Sequence, residues 1–155
     1  DCPESRGLGD VYKRQLKVSL FALFVAAQIA GGLAGTGLAH LMFEDALFQA
    51  SQHVRAGPSQ WVSEGVATFA LLMAIFGCIR FRPDAVPAAV GLVITAGYWW
   101  TSSTSFANPA VTIARVFTDT FSGIRAVDAP MFILAQLGAA VLATFFFKWL
   151  LAEPE

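Results

Sequence analysis

The most constraining feature of this sequence is a set of long stretches that contain no Asp, Glu, Lys or Arg. They cover residues 18–43, 65–79, 85–114 and 129–147. A bilayer core about 30 Å thick is crossed by roughly 20 apolar residues of helix. Three of the stretches meet or approach this length alone, and the second does so if its helix begins at Trp61 and includes Glu64. The pattern therefore predicts membrane-spanning helices.

Composition supports the same interpretation. Of the 155 residues, 56% are hydrophobic and 14% are charged, whereas about 25% are charged in soluble domains. A soluble helical bundle would still show polar stripes at the helical period, and residues 18–43 show none of useful width. The net charge of −1 provides no basic surface for nucleic acid. We predict four spans, at residues 17–42, 61–79, 85–106 and 129–148.

The first 15 residues differ from the rest of the chain. They are polar, with three basic and three acidic residues, and lack the apolar stretch of a signal peptide. We interpret residues 1–15 as a tail unrelated to the fold, derived from sequencing or a vector; a disordered cytoplasmic tail is the alternative.

Basic residues near span ends indicate the cytoplasmic side of a membrane protein. Four such residues fall on one side of the predicted spans, and we predict that this side is cytoplasmic. They are Lys17, Arg80, Arg82 and Lys148.

The stretch at residues 85–114 is too long for one crossing and contains its own interruption. As helix, its 30 residues would extend about 45 Å, well beyond the hydrocarbon core. Residues 101–105 are five consecutive hydroxyl side chains, which favour turns and caps. Asn108 and Pro109 then suit the cap and first position of a new helix. We predict a half-helix at residues 109–119 that enters and leaves on one side of the membrane, beside a solvated pathway.

These residues resemble the aquaporin and glycerol-facilitator family, also called the major intrinsic proteins. Asn108-Pro109-Ala110 matches the second of that family's two Asn-Pro-Ala boxes, and Glu64 with Thr68 matches its fourth helix. The resemblance implies a right-handed helix bundle with a re-entrant half-helix. It makes residues 16–152 a partial channel domain from which the first two membrane helices and the first half-helix are missing. The chain is thus expected to be truncated at its N-terminus.

The resemblance also assigns the lining of the pore. Counted from the box, three of the four constriction positions of the selectivity filter fall at Ala96, Ser105 and Val111. Most members of the family carry an arginine directly after the box, where this chain has Val111, and the nearest arginine is Arg115. A small, neutral lining implies a wide opening. The run NPAVTIAR after a hydroxyl-rich loop resembles a bacterial subgroup associated with arsenic-resistance operons, which implies permeation by arsenite.

Three further residues are implied to support the loop before the half-helix: Glu64, Thr68 and Arg115. A carboxylate inside a membrane helix needs a partner, and the resemblance implies that Glu64 accepts hydrogen bonds from the backbone of that loop. Two other roles stay open for Arg115, which could pair with Asp119 one turn later or reach the pore mouth. Glu64 also leaves open an ion-coupled secondary transporter, in which it is the coupling carboxylate.

The expected function is passive transport rather than catalysis. No Gly-x-Ser-x-Gly turn of a hydrolase is present, and neither a cofactor nor a metal is expected. The resemblance implies a channel for water and small neutral solutes, such as glycerol-like polyols and arsenite, in the bacterial inner membrane. The expected partners are the lipid bilayer, these solutes and, for the full-length protein, identical copies in a homotetramer.

Overall fold

The computed structural model describes residues 18–152 of the chain. Within this range, a turn of 3-10 helix at Pro83–Ala85 precedes the third of the α-helices. The tail predicted at residues 1–15 lies outside the described residues. The helices are α1 Val18–Met42, α2 Pro58–Phe81, α3 Val86–Trp100, α4 Pro109–Arg115 and α5 Ala129–Leu150.

Three helices, α1, α2 and α5, are long and apolar enough to cross a membrane. They contain 25, 24 and 22 residues. Large apolar side chains such as Leu23, Val62 and Phe145 are exposed on their outward faces. In a bilayer these faces contact acyl chains, so their exposure carries no penalty. The predicted all-α membrane class is confirmed for the described residues.

Helix α3 is shorter than the predicted span at residues 85–106. It ends at Trp100 because Thr101 is extended, with φ −106° and ψ 137°. The backbone N–H and the hydroxyl of Thr101 both donate to the carbonyl oxygen of Gly97, at 3.1 and 2.6 Å, which closes the helix. The 15 residues of α3 extend only about 22 Å. Residues 101–108, which we call the re-entrant loop, continue from it.

Helix α4 is also shorter than predicted, ending at Arg115 instead of residue 119. The carbonyl oxygens of Ile113 and Ala114 accept from the N–H groups of Val116 and Phe117 in a tight last turn, at 3.2 and 3.1 Å, and the next two carbonyls accept from other loops. Arg115 accepts from the N–H of Ile124 at 3.2 Å, and Val116 accepts from the N–H of Ser51 at 2.9 Å. With seven residues, α4 extends about 10 Å, far less than a bilayer.

Helix α2 is central, because it packs against both α3 and α5, while α1 packs against α4. An apolar cluster of Phe106, Ile124, Ala129 and Phe132 lies where the re-entrant loop meets the start of α5. The rings of Phe106 and Phe132 have centroids 5.2 Å apart. The re-entrant loop is thus anchored on an apolar core. We call the end of the bundle opposite to Arg80 the outer end.

Candidate functional site

The re-entrant loop is buried and irregular. Thr104, Ser105 and Ala107 have φ values of 61°, 48° and 52°, in the left-handed region that residues other than glycine rarely occupy. Such a conformation persists only where its surroundings hold it in place. The loop ends at Asn108, whose Oδ1 accepts a hydrogen bond from the N–H of Ala110 at 2.8 Å. Asn108 is therefore the N-cap of α4.

Glu64 on α2 anchors this loop by hydrogen bonds to its backbone. It is 0% exposed, and its carboxylate accepts hydrogen bonds from the N–H groups of Phe106, at 3.3 Å, and Ala107. Gln136 on α5 donates from Nε2 to Glu64 Oε1 at 2.9 Å and to Thr112 Oγ1 of α4 at 2.8 Å. Polar groups at membrane depth need protein partners. Here these partners come from within the protein, because hydrogen bonds connect the loop with α2, α2 with α5, and α5 with α4.

Helix α3 approaches the re-entrant loop closely at Gly97. A Cβ atom at this position would lie 2.5 Å from both Cβ and Oγ of Ser105, far inside van der Waals contact. Only glycine therefore allows Ser105 to occupy its place. Sequence reasoning missed Gly97, because glycine is common in membrane helices. Nothing in the sequence distinguishes it from Gly91, where a Cβ would meet open space.

The backbone carbonyls of the re-entrant loop fall into two groups. Those of Ser102 and Ser103 accept hydrogen bonds from Gln60 and Arg55, each at 3.1 Å. No donor among residues 18–152 reaches the carbonyl oxygens of residues 104–107. Buried backbone carbonyls are nearly always paired with protein or water. These four oxygens are therefore available to water or to the hydroxyl group of a solute.

The side-chain amide of Asn108 adds a donor to this row of acceptors. Its Nδ2 donates to Oε1 of Gln28 on α1 at 3.2 Å. An amide nitrogen carries two N–H groups, so one remains for a solute. Asn108 thus has three roles in one residue: its Oδ1 caps α4, one N–H binds α1 and the other N–H is available at the end of the loop.

Arg55, in the connection between α1 and α2, holds the outer side of the loop. It is 3% exposed and donates to the carbonyl oxygens of Ser103, Phe121 and Gly123 at 3.1, 2.6 and 2.7 Å. Burial lowers the pKa of Arg55 to about 10, and the charge of Arg115 acts in the same direction. Sequence reasoning missed this role because an arginine in a loop ordinarily indicates a solvated surface.

Comparison with known proteins supports the resemblance to the aquaporin and glycerol-facilitator family. No protein-family model matches the chain, and no solved structure matches it. Aquaglyceroporin AqpS of Rhizobium meliloti (strain 1021) is 58% identical over 130 residues, which are 84% of this chain and 56% of that relative. This similarity supports the aquaporin and glycerol-facilitator family. It spans about half the length of this curated bacterial relative, and the resemblance inferred from Asn108-Pro109-Ala110 is confirmed.

The three positions that the aquaporin resemblance assigned to the filter have different surroundings. Ser105 is buried against Gly97, and its Oγ has no hydrogen-bond partner among the described residues. Ala96 is exposed and directly precedes Gly97. Val111 packs against the apolar cluster. The structure thus brings Ser105 to the helix that carries Ala96, whereas the contacts of Val111 are with the cluster.

The hydrogen bond of the Thr68 hydroxyl does not reach the re-entrant loop. Thr68 Oγ1 donates to the backbone carbonyl of Glu64 at 3.0 Å, so its hydrogen bond stays within α2. The role of Thr68 in supporting the loop therefore stays a prediction from the family resemblance. Thr68 is buried and lies one helical turn from Glu64 on the same face of α2.

Arg115 links α4 to α3 and to the re-entrant loop. It donates to the hydroxyl of Tyr98 and, at 3.4 Å, to Oγ1 of Thr104. The pair with Asp119 considered from the sequence is not formed. Asp119 instead accepts a hydrogen bond from the N–H of Gln52 at 2.7 Å. Arg115 therefore contributes to the position of the loop through hydroxyl groups and not through an ion pair.

A cavity of about 570 Å³ lies at the outer end of the bundle, between α1 and the segment that follows α4. His40 in its wall is buried and contacts the carbonyl oxygen of Leu47 and Oγ1 of Thr118, each at 2.8 Å. Within residues 18–152, no group of three or more His, Cys, Asp and Glu side chains could bind a metal. The polar lining of the cavity includes His40, Arg115, Thr118, Thr120 and Ser122.

Proposed function

We propose that this chain forms part of the wall of a passive channel for water and small neutral solutes, namely glycerol-like polyols and arsenite, in a bacterial inner membrane. The resemblance to the aquaporin and glycerol-facilitator family supports the proposal. So does the similarity to AqpS, which is an aquaglyceroporin. In the proposal, full-length chains assemble as a homotetramer in the bilayer, and each chain has its own pore.

The observation that carries the proposal is the row of unpaired carbonyl oxygens at residues 104–107. Irregular backbone at membrane depth is stable only against protein or beside water. A neutral hydroxylated solute can exchange its hydration shell for these acceptors and for the free N–H of Asn108. An ion cannot make this exchange without a large loss of hydration energy. The arrangement therefore favours passage of water and polyols over ions.

The proposed filter residues then determine which neutral solutes pass. Ala96, Ser105 and Val111 are small and uncharged, so they restrict the opening less than an arginine at the position of Val111 would. A wider opening admits a solute with three hydroxyl groups as well as water. Glycerol and undissociated arsenite share that size and that pattern of hydroxyl groups. We therefore place both in one proposed substrate class.

The test is the flux of solutes through the full-length protein in proteoliposomes. Light scattering after a glycerol gradient is applied should show swelling well above that of empty liposomes, and arsenite uptake should rise in parallel. The matched control is the same protein with Val111→Arg, which should transport water but much less glycerol. Swelling no faster than in empty liposomes would refute the channel, while glycerol flux without arsenite uptake would narrow the substrate class to polyols.

The same experiment separates the channel from the ion-coupled transporter. Both carboxylate oxygens of Glu64 accept hydrogen bonds from the loop or from Gln136, which favours a structural anchor over a coupling group. A channel conducts glycerol at the same rate with and without a proton gradient. Flux that follows an imposed pH difference would favour the transporter.

A further inference from the structure

The position directly after the Asn-Pro-Ala box has no charge in this chain, because it is Val111. The first positive charge along α4 is Arg115, four residues later. Four residues of helix correspond to about 6 Å along the axis and return to nearly the same face. A charge is therefore present close to the box, but one turn nearer the outer end.

The guanidinium group of Arg115 has a defined position. It lies over the ring of Phe106 with its Cζ 4.2 Å from the centroid, and over the ring of Tyr98 at 5.0 Å. The hydroxyls of Tyr98 and Thr104 accept hydrogen bonds from it. All of these partners are neutral. Across residues 18–152, no carboxylate forms an ion pair with Arg115.

This charge also borders open space. Arg115 lines the cavity of about 570 Å³ at the outer end. Asp45 lines the same cavity, but it forms no ion pair with Arg115 among the described contacts. The hydroxyl groups of the wall come from Thr36, Thr118, Thr120 and Ser122. A solute in the cavity therefore meets the Arg115 cation among hydroxyl groups, with the Asp45 carboxylate elsewhere on the same wall.

The other arginine near the loop does not have this role. Arg55 also lies over the ring of Phe106, with its Cζ 5.1 Å from the centroid. All three of its guanidinium nitrogens donate to backbone carbonyls, and it is buried. Arg55 is thus a structural cation, while Arg115 is the cation that borders the cavity.

We propose that Arg115 is a specificity-determining residue that excludes cations at the outer mouth while the neutral filter at Val111 stays wide. Tyr98 and Thr104 are its positioning residues. The inference rests on the proposed channel function. It separates two properties that one arginine next to the box would combine, namely the width of the opening and the exclusion of positive charge.

The experiment compares full-length wild type with Arg115→Gln and Arg115→Lys in proteoliposomes, using glycerol as the neutral probe and methylammonium as the cationic probe. Arg82→Gln is the matched control, because it removes the same charge from a side chain that is 74% exposed at the other end of α2. We expect Arg115→Gln to raise methylammonium permeability about tenfold. The guanidinium charge borders the cavity, and its repulsion of a cation there needs to be only about 1.4 kcal/mol for this effect. Because Arg115 also contacts the re-entrant loop through Thr104, glycerol flux is measured in every variant and methylammonium permeability is expressed relative to it.

The outcomes distinguish the inference from the function on which it rests. Arg115→Lys keeps the charge and should exclude methylammonium as the wild type does, whereas a purely structural role would affect both variants alike. Unchanged methylammonium permeability in Arg115→Gln, with glycerol flux intact, would overturn the role of Arg115 and leave the channel standing. A wild type that conducts no glycerol would refute the channel itself.

A second variant covers the case in which Arg115→Gln does not fold. Tyr98→Phe keeps the ring and the charge but removes the hydroxyl that accepts from the guanidinium. We expect methylammonium permeability to rise two- to fivefold, because the charge is no longer fixed at the mouth. Permeability equal to that of wild type in Tyr98→Phe would overturn the proposal in that case.

Discussion

Glu64 and Val62 lie two residues apart on α2, yet the two faces of this helix have opposite requirements. Glu64 is 0% exposed and binds the re-entrant loop, while Val62 is 66% exposed and faces the lipid side. The inner face depends on particular hydrogen bonds between particular atoms. The outer face needs only apolar groups of any shape, because acyl chains adapt to it. Substitutions should therefore be severe on one face and silent on the other.

The largest effect should come from Glu64→Ala. The change leaves the backbone N–H groups of Phe106 and Ala107 and one of the two amide N–H groups of Gln136 without an acceptor, at about 1–3 kcal/mol for each buried group. We expect a loss of at least about 3 kcal/mol of stability, with glycerol flux abolished. Thermal unfolding in detergent and liposome swelling measure the two effects.

Val62→Ala on the same helix is the control for Glu64→Ala. It trims an exposed side chain and should change the free energy of unfolding by about 0.5 kcal/mol or less. The unfolding temperature should therefore shift by about 2 °C or less. If Glu64→Ala were as stable and as active as Val62→Ala, the two faces would not differ in the way proposed.

The second effect concerns the contact between α3 and the loop. Gly97→Ala forces a Cβ into Ser105, which costs about 1–3 kcal/mol through overpacking, and the displaced loop should reduce glycerol flux. Gly91→Ala places the same methyl group on the same helix in open space and should even stabilise it slightly, by about 0.5–1 kcal/mol. Equal flux in the two variants would show that the close approach at Gly97 is not required.

Sequence patterns predicted the features that depend on local chemistry. Absence of charge identified the membrane helices, and the cap preference of Asn108 with the fixed φ of proline at Pro109 identified where α4 begins. Resemblance to a family then pointed to Glu64 and the loop. These features depend on residues close together in the chain, or on a motif already associated with a fold.

Features that depend on tertiary contacts were not predictable in the same way. Helix α4 ends early because the carbonyls of Arg115 and Val116 accept from Ile124 and Ser51 of other loops, and no local signal at residue 115 indicates this. The roles of Gly97 and Arg55 likewise depend on partners more than 5 residues away, Ser105 and the carbonyls around Gly123. A single sequence shows neither the distance nor the partner.

A third test sharpens the comparison within the proposed filter. Val111→Arg adds a long cation where the wild type has a short apolar side chain packed on the apolar cluster. Glycerol flux should fall about tenfold if this position lines the pore, while Val111→Leu, which adds bulk without charge, should reduce it less. Stopped-flow light scattering with full-length protein gives both rates. Unchanged glycerol flux in Val111→Arg would place position 111 outside the pore lining.

The smallest effect belongs to the outer connection, away from both faces of α2. Burial alone raises the pKa of Asp128, but hydrogen bonds from the Arg125 side chain and the Arg55 backbone outweigh it and hold the pKa below its usual value. The carboxylate therefore stabilises the fold above the usual aspartate pKa of about 4, and this contribution is lost as pH falls through the lower folded pKa. Asp128→Asn should cost up to about 1 kcal/mol at pH 7. The difference from wild type should shrink at pH 3, which unfolding at the two pH values measures; a difference that grows in acid would contradict the sign of the pKa shift.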